Sequence, residues 1–217
     1  MPLNNPLSYP FTNVELLAVA TCKTGDDQLH VGLIYVLDDL VPVLCDLAWH
    51  YKLRHEENPL ETPHWAESPL FWQNVSLHPI NRRVLAANLE SLRPYGDQIS
   101  YGFSVVPPVF TRDGKYVPQP PGRGMTCATF VVEMYRAFAL PLVNEQSWPK
   151  RLDEDQDWQK KILDWLTKRG AENEHVEALK NDIGTVVRFK PEEVASATLM
   201  PDPPVEFNQC VKLAKEI

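Results

Sequence analysis

Cys127 has the local surroundings that turn a thiol into a nucleophile. It follows the glycine-rich stretch Gly122-Arg123-Gly124-Met125-Thr126 and opens a run in which Phe130, Val131, Met134 and Phe138 recur at i+3, i+4, i+7 and i+11, the spacing of an amphipathic helix. Thr126 is suited to cap that helix and Pro141 to stop it. Partial positive charge gathers at a helix N-terminus and draws a cysteine pKa from about 8.5 towards 3.5–7.5, so the thiolate becomes accessible near neutrality. The glycines let a substrate approach the backbone, and the unpaired N–H groups of the first turn are suited to hold a developing oxyanion. Gln119 and Tyr101 are further candidate oxyanion donors.

Such a thiol needs a base. Of six histidines, only His30 lies on an expected core strand, with small Gly32 beside it on the same face. Asp46 is the candidate for orienting the imidazole, because it is a charged residue inside an otherwise apolar strand, where an unpaired carboxylate is costly. Register decides its role. With a two-residue hairpin loop at Asp38-Asp39, His30 pairs with Leu47 and Asp46 turns away; an odd loop or a bulge brings the two onto one face. In the first case Cys45 or His50 enters as the third residue.

The elements that must position these groups are those of an α+β protein. Val14 to Thr21 is an apolar run compatible with strand or helix, and His30 to Val36 and Val43 to Ala48 read as a β-hairpin. Residues 50–79, with His50, His55, His64 and His78 among prolines and acids, lack clean periodicity and read as an insertion. His78 to Leu92 reads as a helix, Ile99 to Val106 and Thr185 to Phe189 as strands, and the segments around Trp158–Leu166 and Phe207–Ala214 as C-terminal helices. Trp158 and Trp165 are expected in the core. The proline clusters at 107–108, 118–121 and 201–204 mark loops, since apolar segments flank each.

Composition narrows the function. The 217 residues are 44% apolar and 23% charged, which suits one folded domain with an elaboration. A net charge of −8 opposes binding to nucleic acid or anionic lipid. The N-terminal residues do not read as a secretory signal and the longest apolar region is broken by Asp38, Asp39 and Asp46, so a cytoplasmic protein without a membrane span is expected. Cys22, Cys45, Cys127 and Cys210 are widely spaced, without a C-x-x-C pair, and are expected as reduced thiols. His55-Glu56-Glu57-Asn58-Pro59 carries proline where a zincin has its second histidine. The histidines at 50, 55 and 64 are read as solvated loop residues rather than metal ligands, and no metal or organic cofactor is expected.

The order of these pieces resembles the circularly permuted NlpC-type papain-like superfamily, which includes the lecithin:retinol acyltransferase-like proteins. His30-Val-Gly-Leu-Ile-Tyr-Val36 is similar to the histidine strand, Asp46-Leu-Ala48 falls at the third polar residue, and Thr126-Cys-Ala-Thr-Phe-Val131 is similar to the nucleophile helix. Roughly 40 residues carry the likeness. Asp46 stands where the acyltransferases use a second histidine, and the stretch from Asp46 to Cys127 does not align. The resemblance implies a small antiparallel sheet packed against the cysteine-bearing helix, and a catalytic set of Cys127, His30 and Asp46. It implies a peptidase, amidase, thioesterase or acyltransferase working through an acyl-cysteine intermediate on a peptide, amide, ester or thioester. The alternative is a module that keeps the fold and has lost the chemistry, serving binding or complex formation.

Overall fold

The computed structural model describes residues 3–24, 28–37, 41–59 and 70–217. Five strands form one antiparallel sheet in the order β4-β3-β2-β1-β5: β1 (Leu17–Lys23), β2 (Leu29–Tyr35), β3 (Val43–Trp49), β4 (Lys52–Glu57) and β5 (Phe71–Asn74). The ambiguous run after Val14 is therefore a strand. Side-chain alternation sorts two apolar layers. Odd-numbered positions such as Leu17, Val31, Leu33, Cys45 and Leu47 join the main core under the helices, and even-numbered Ala18, Ala20, Ile34 and Leu44 meet Phe11, Leu70 and Trp72 on the other face.

The described helices are α1 (Pro79–Ser91), α2 (Cys127–Ala137), α3 (Leu152–Lys168), α4 (Asn173–Leu179), α5 (Pro191–Thr198) and α6 (Phe207–Ala214). α2 packs on β2 and β3, α5 on β1 and β2, and α1 on β1. No described helix is long and apolar enough to cross a membrane.

Three expectations change. The stretch read as an insertion supplies both edge strands, β4 and β5. β4 was hard to see because it is charged, Lys-Leu-Arg-His-Glu-Glu, as suits a strand at a sheet edge, and because its turn lacks the usual glycine or asparagine; Tyr51 takes the left-handed conformation instead, at φ 54°. Residues 60–69, with His64, lie outside the described residues, as do 25–27 and 38–40, where turns are expected from the sequence.

The segment from Ile99 to Val106 is not a sheet strand. Its backbone is satisfied by the loop before α2, through Met125 N–H to Ser100 O, Gly102 N–H to Met125 O and Gly124 N–H to Ser104 O. Gly102 and Gly124 permit that approach, since a Cβ on Gly102 would lie 2.8 Å from the Gly124 nitrogen. Thr185 to Phe189 is not a strand either; β-branched residues there pack as irregular chain, with the Phe189 ring 5.4 Å from that of Trp148.

Candidate functional site

α2 starts where the sequence places it. Thr126 Oγ1 accepts from Thr129 N–H at 3.1 Å, and Thr126 N–H donates to Thr129 Oγ1 at 2.6 Å, a reciprocal cap. The cap satisfies Thr129 and leaves the N–H groups of Cys127 and Ala128 without intrahelical acceptors, as the first turn of any helix does. Cys127 sits at the first helical position, 7% exposed.

His30 and Asp46 share a face. Leu33 pairs with Cys45 and Tyr35 with Val43, so the loop over residues 36–42 has an odd count, and continuing the register sets Asp46 opposite Gly32 and diagonal to His30. His30 Nε2 lies 2.6 Å from Asp46 Oδ2. Gly32 makes room for this pairing, because a Cβ there would stand 2.8 Å from the Cβ of Asp46. Asp46 is fully buried and takes a second cation from β4: Arg54 Nη2 donates to Oδ2 at 2.6 Å and Arg54 Nε to Oδ1 at 3.1 Å.

His30 and Cys127 meet at an opening in the sheet. The β2–β3 ladder ends at Leu33 and Cys45, although β2 continues to Leu29 and β3 to Trp49. Past that point Cys127 and His30 open into one cleft, and the sulfur lies near enough to the His30 ring and the Val31 N–H for both to lower its pKa. Asp46 engages Nε2, which leaves Nδ1 as the ring nitrogen not held by the carboxylate. The open end of the ladder thus lets a histidine from one face of the sheet reach a cysteine carried by a helix on the other.

The electrostatics follow from this contact. Burial opposes charge on each of the three groups, and their mutual attraction overrides it. Burial lowers the His30 pKa, but Cys127 and Asp46 raise it to about 10. Burial raises the Cys127 pKa, but His30 and the Val31 N–H bring it below the ordinary thiol range. Asp46 is likewise held below the usual carboxylate range by His30 and Arg54 despite its burial. The directions favour the charged form of each group: thiolate at Cys127, imidazolium at His30 and carboxylate at Asp46.

A scan of known family models, curated proteins and solved structures finds no match to this chain.

The other candidates of the sequence are placed elsewhere. Burial pushes the Cys45 thiol well up, and its sulfur lies 3.6 Å from His55 in a separate cluster with Tyr35 and Glu90. His50 accepts from the Tyr101 N–H at 3.1 Å and pairs with Glu172 at 3.0 Å, positioning the Tyr101 segment. His50 and His55 are therefore tied into networks rather than solvated. Among the described residues no group of acidic, histidine and cysteine side chains is arranged to hold a metal ion. Gln119 spends its amide on the backbone of Val106 and Val117, whereas Tyr101 shares a cleft with Cys127.

That cleft encloses about 310 Å³, and Cys127 and His30 open into it, a volume at the lower end of the roughly 300–1,000 Å³ of small-molecule sites. Trp49, Trp158 and Trp165 line it, with Arg169 and Arg188. Trp158 is half-buried and packs against the main core as expected while also walling the cleft, whereas Trp165, 39% exposed, is a cleft wall rather than core. Their spacing on α3 carries no sign of this, since a cleft wall and a core stripe share the helical period. Arg54 had a signal: a basic residue lies eight positions beyond a buried acid, across a two-residue turn.

Proposed function

We propose that the chain is a cysteine-dependent acyl hydrolase or acyltransferase of papain-like type, in which histidine and aspartate precede the nucleophile in permuted order. The observation that carries this reading is that Cys127 and His30 open into one cleft, with His30 held by Asp46 at 2.6 Å and each of Cys127 and His30 shifting the other towards its charged form. A structural cysteine has no need of a buried cation fixed by a second ionised group, while a nucleophile does.

In the reaction, the Cys127 thiolate attacks a carbonyl carbon, and the electron pair of the C=O bond moves to oxygen. The N–H groups of Cys127 and Ala128 face the developing oxyanion. As the tetrahedral centre collapses, the bond to the leaving amine or alkoxide breaks and the leaving atom takes the proton from His30. Water, or an acceptor hydroxyl or amine, then gives its proton to neutral His30 and attacks the thioester, which releases the acyl group and restores the thiolate. Asp46 stabilises the imidazolium in both steps. The four cysteines are free and buried, which suits a reducing compartment such as the cytoplasm.

The test is to mix the protein with 4-nitrophenyl acetate and follow nitrophenolate release with intact-mass spectrometry. A stoichiometric burst with one acetyl group mapped to Cys127, absent from Cys127→Ala and slowed in His30→Ala, is expected. No burst, or acetylation spread over lysines, contradicts the reading.

A further inference from the structure

The cleft departs from the charge of the rest of the chain. The protein carries 29 acidic residues against 21 basic ones, yet the cleft beside Cys127 is lined by Arg169, Arg188 and His30 and, among the described residues, by no aspartate or glutamate.

Both arginines are held in a way that leaves their donors open. The Arg169 guanidinium lies 4.8 Å from the centre of the Trp49 ring, and that of Arg188 4.1 Å from the Trp158 ring. A guanidinium stacked on an aromatic face keeps its in-plane N–H groups for another partner, while the ring fixes the plane. Arg169 has no carboxylate within ion-pair distance among the described residues. Arg188, 13% exposed at its side chain, has Asp155 at 3.9 Å, beyond hydrogen-bonding range. The Asp155 oxygens are themselves without hydrogen-bond partners. Structural arginines in this protein look different: Arg54 is engaged by Asp46 at 2.6 Å, and Arg151 donates to Glu193 and to the Arg188 carbonyl.

We infer that the acyl substrate carries an anionic group, a carboxylate or phosphate, which Arg169 and Arg188 bind from their tryptophan faces while a flat or apolar body lies against Trp49, Trp158 and Trp165. This rests on the cleft being the site of the acyl chemistry proposed above, and it narrows that chemistry to acyl donors with a negative charge near the scissile carbonyl. Planar guanidinium forks match the paired oxygens of carboxylate and phosphate. The arginine charges also offset the repulsion that a net charge of −8 imposes on any approaching anion.

Binding tests this without turnover, so its outcome is separate from that of the acetylation experiment. Cys127→Ala protein is titrated with benzoylglycine, its uncharged amide, and the phosphonate analogue of benzoylglycine, with intrinsic tryptophan fluorescence and calorimetry as readouts. At low salt the two anions bind at least about tenfold more tightly than the amide, the size of one charge-assisted contact of about 1.4 kcal/mol. The stronger of the two anions identifies the group. The preference shrinks in Arg169→Gln and Arg188→Gln and with added salt. Equal binding of the amide, no binding of any of the three, or a preference that survives both arginine substitutions overturns the inference.

Discussion

Replacing Gly32 by alanine strikes the point on which the site geometry rests. The added Cβ would lie 2.8 Å from the Cβ of Asp46 and 3.0 Å from the Cys45 carbonyl oxygen. Carbon atoms in contact sit roughly 3.5–4.0 Å apart, so β2 and β3 must part by about 0.7 Å or more, since the neighbours are backbone and a fully buried Cβ with little room to yield. Overpacking of this kind costs about 1–3 kcal/mol, which for a chain of this size lowers the melting temperature by roughly 2–12 °C. The same displacement stretches the 2.6 Å bond between His30 and Asp46 past the range of a strong hydrogen bond. The imidazolium is then less well held, and the Cys127 pKa rises back towards the ordinary thiol range. Thermal denaturation reads the first effect, and the pH dependence of iodoacetamide alkylation at Cys127 reads the second. A Gly32→Ala protein that melts with the parent and alkylates with the parent's pH profile would refute the reasoning.

Asp46→Asn leaves the Arg54 guanidinium without the charge it faces at 2.6 Å and is expected to cost about 3–5 kcal/mol near neutral pH by chemical denaturation. The folded-state pKa of Asp46 is depressed, so its contribution is present above the unfolded value of about 3.9 and is lost as pH falls through the folded value; the gap between parent and variant therefore narrows in acid. Thr126→Ala removes the side-chain acceptor of the α2 cap and is expected to lower stability by about 1 kcal/mol; an unchanged denaturation midpoint would contradict the cap assignment. Tyr101→Phe tests where the oxyanion sits: with the first-turn N–H groups as donors, acetyl-ester turnover stays within about threefold, whereas a loss of about 10²–10³ would assign that role to the Tyr101 hydroxyl.

The hairpin that carries the site was legible in the sequence because its two strands are apolar enough to announce themselves, and the lone charge in β3 marked Asp46 as a residue in need of a partner. Pairing parity was not legible, since it depends on the loop, and the sequence left Cys45 and His50 open beside Asp46. Helix α2, which carries Cys127, was read from its cap and period. β4 escaped because an edge strand is charged on purpose and its turn is made by Tyr51 at φ 54° rather than by a glycine. The cleft escaped for a different reason: Trp49, Trp158, Arg169 and Arg188 come from β3, α3 and the chain flanking α3 and α5, and only tertiary packing sets two guanidiniums on two indole faces. Thr185 to Phe189 shows the limit of propensity, since β-branched residues formed no ladder there.

The most direct test of the activated thiol is the rate of iodoacetamide alkylation at Cys127 from about pH 8 to pH 6, followed by peptide mapping in the parent and in His30→Ala. An ordinary thiol with a pKa near 8.5 slows roughly seventy-fold over that interval as its thiolate is protonated. A Cys127 whose pKa is lowered by His30 declines clearly less over the same interval, and regains the ordinary decline in His30→Ala. A parent protein whose Cys127 already shows the ordinary decline, or whose profile is indifferent to the loss of His30, would contradict the account.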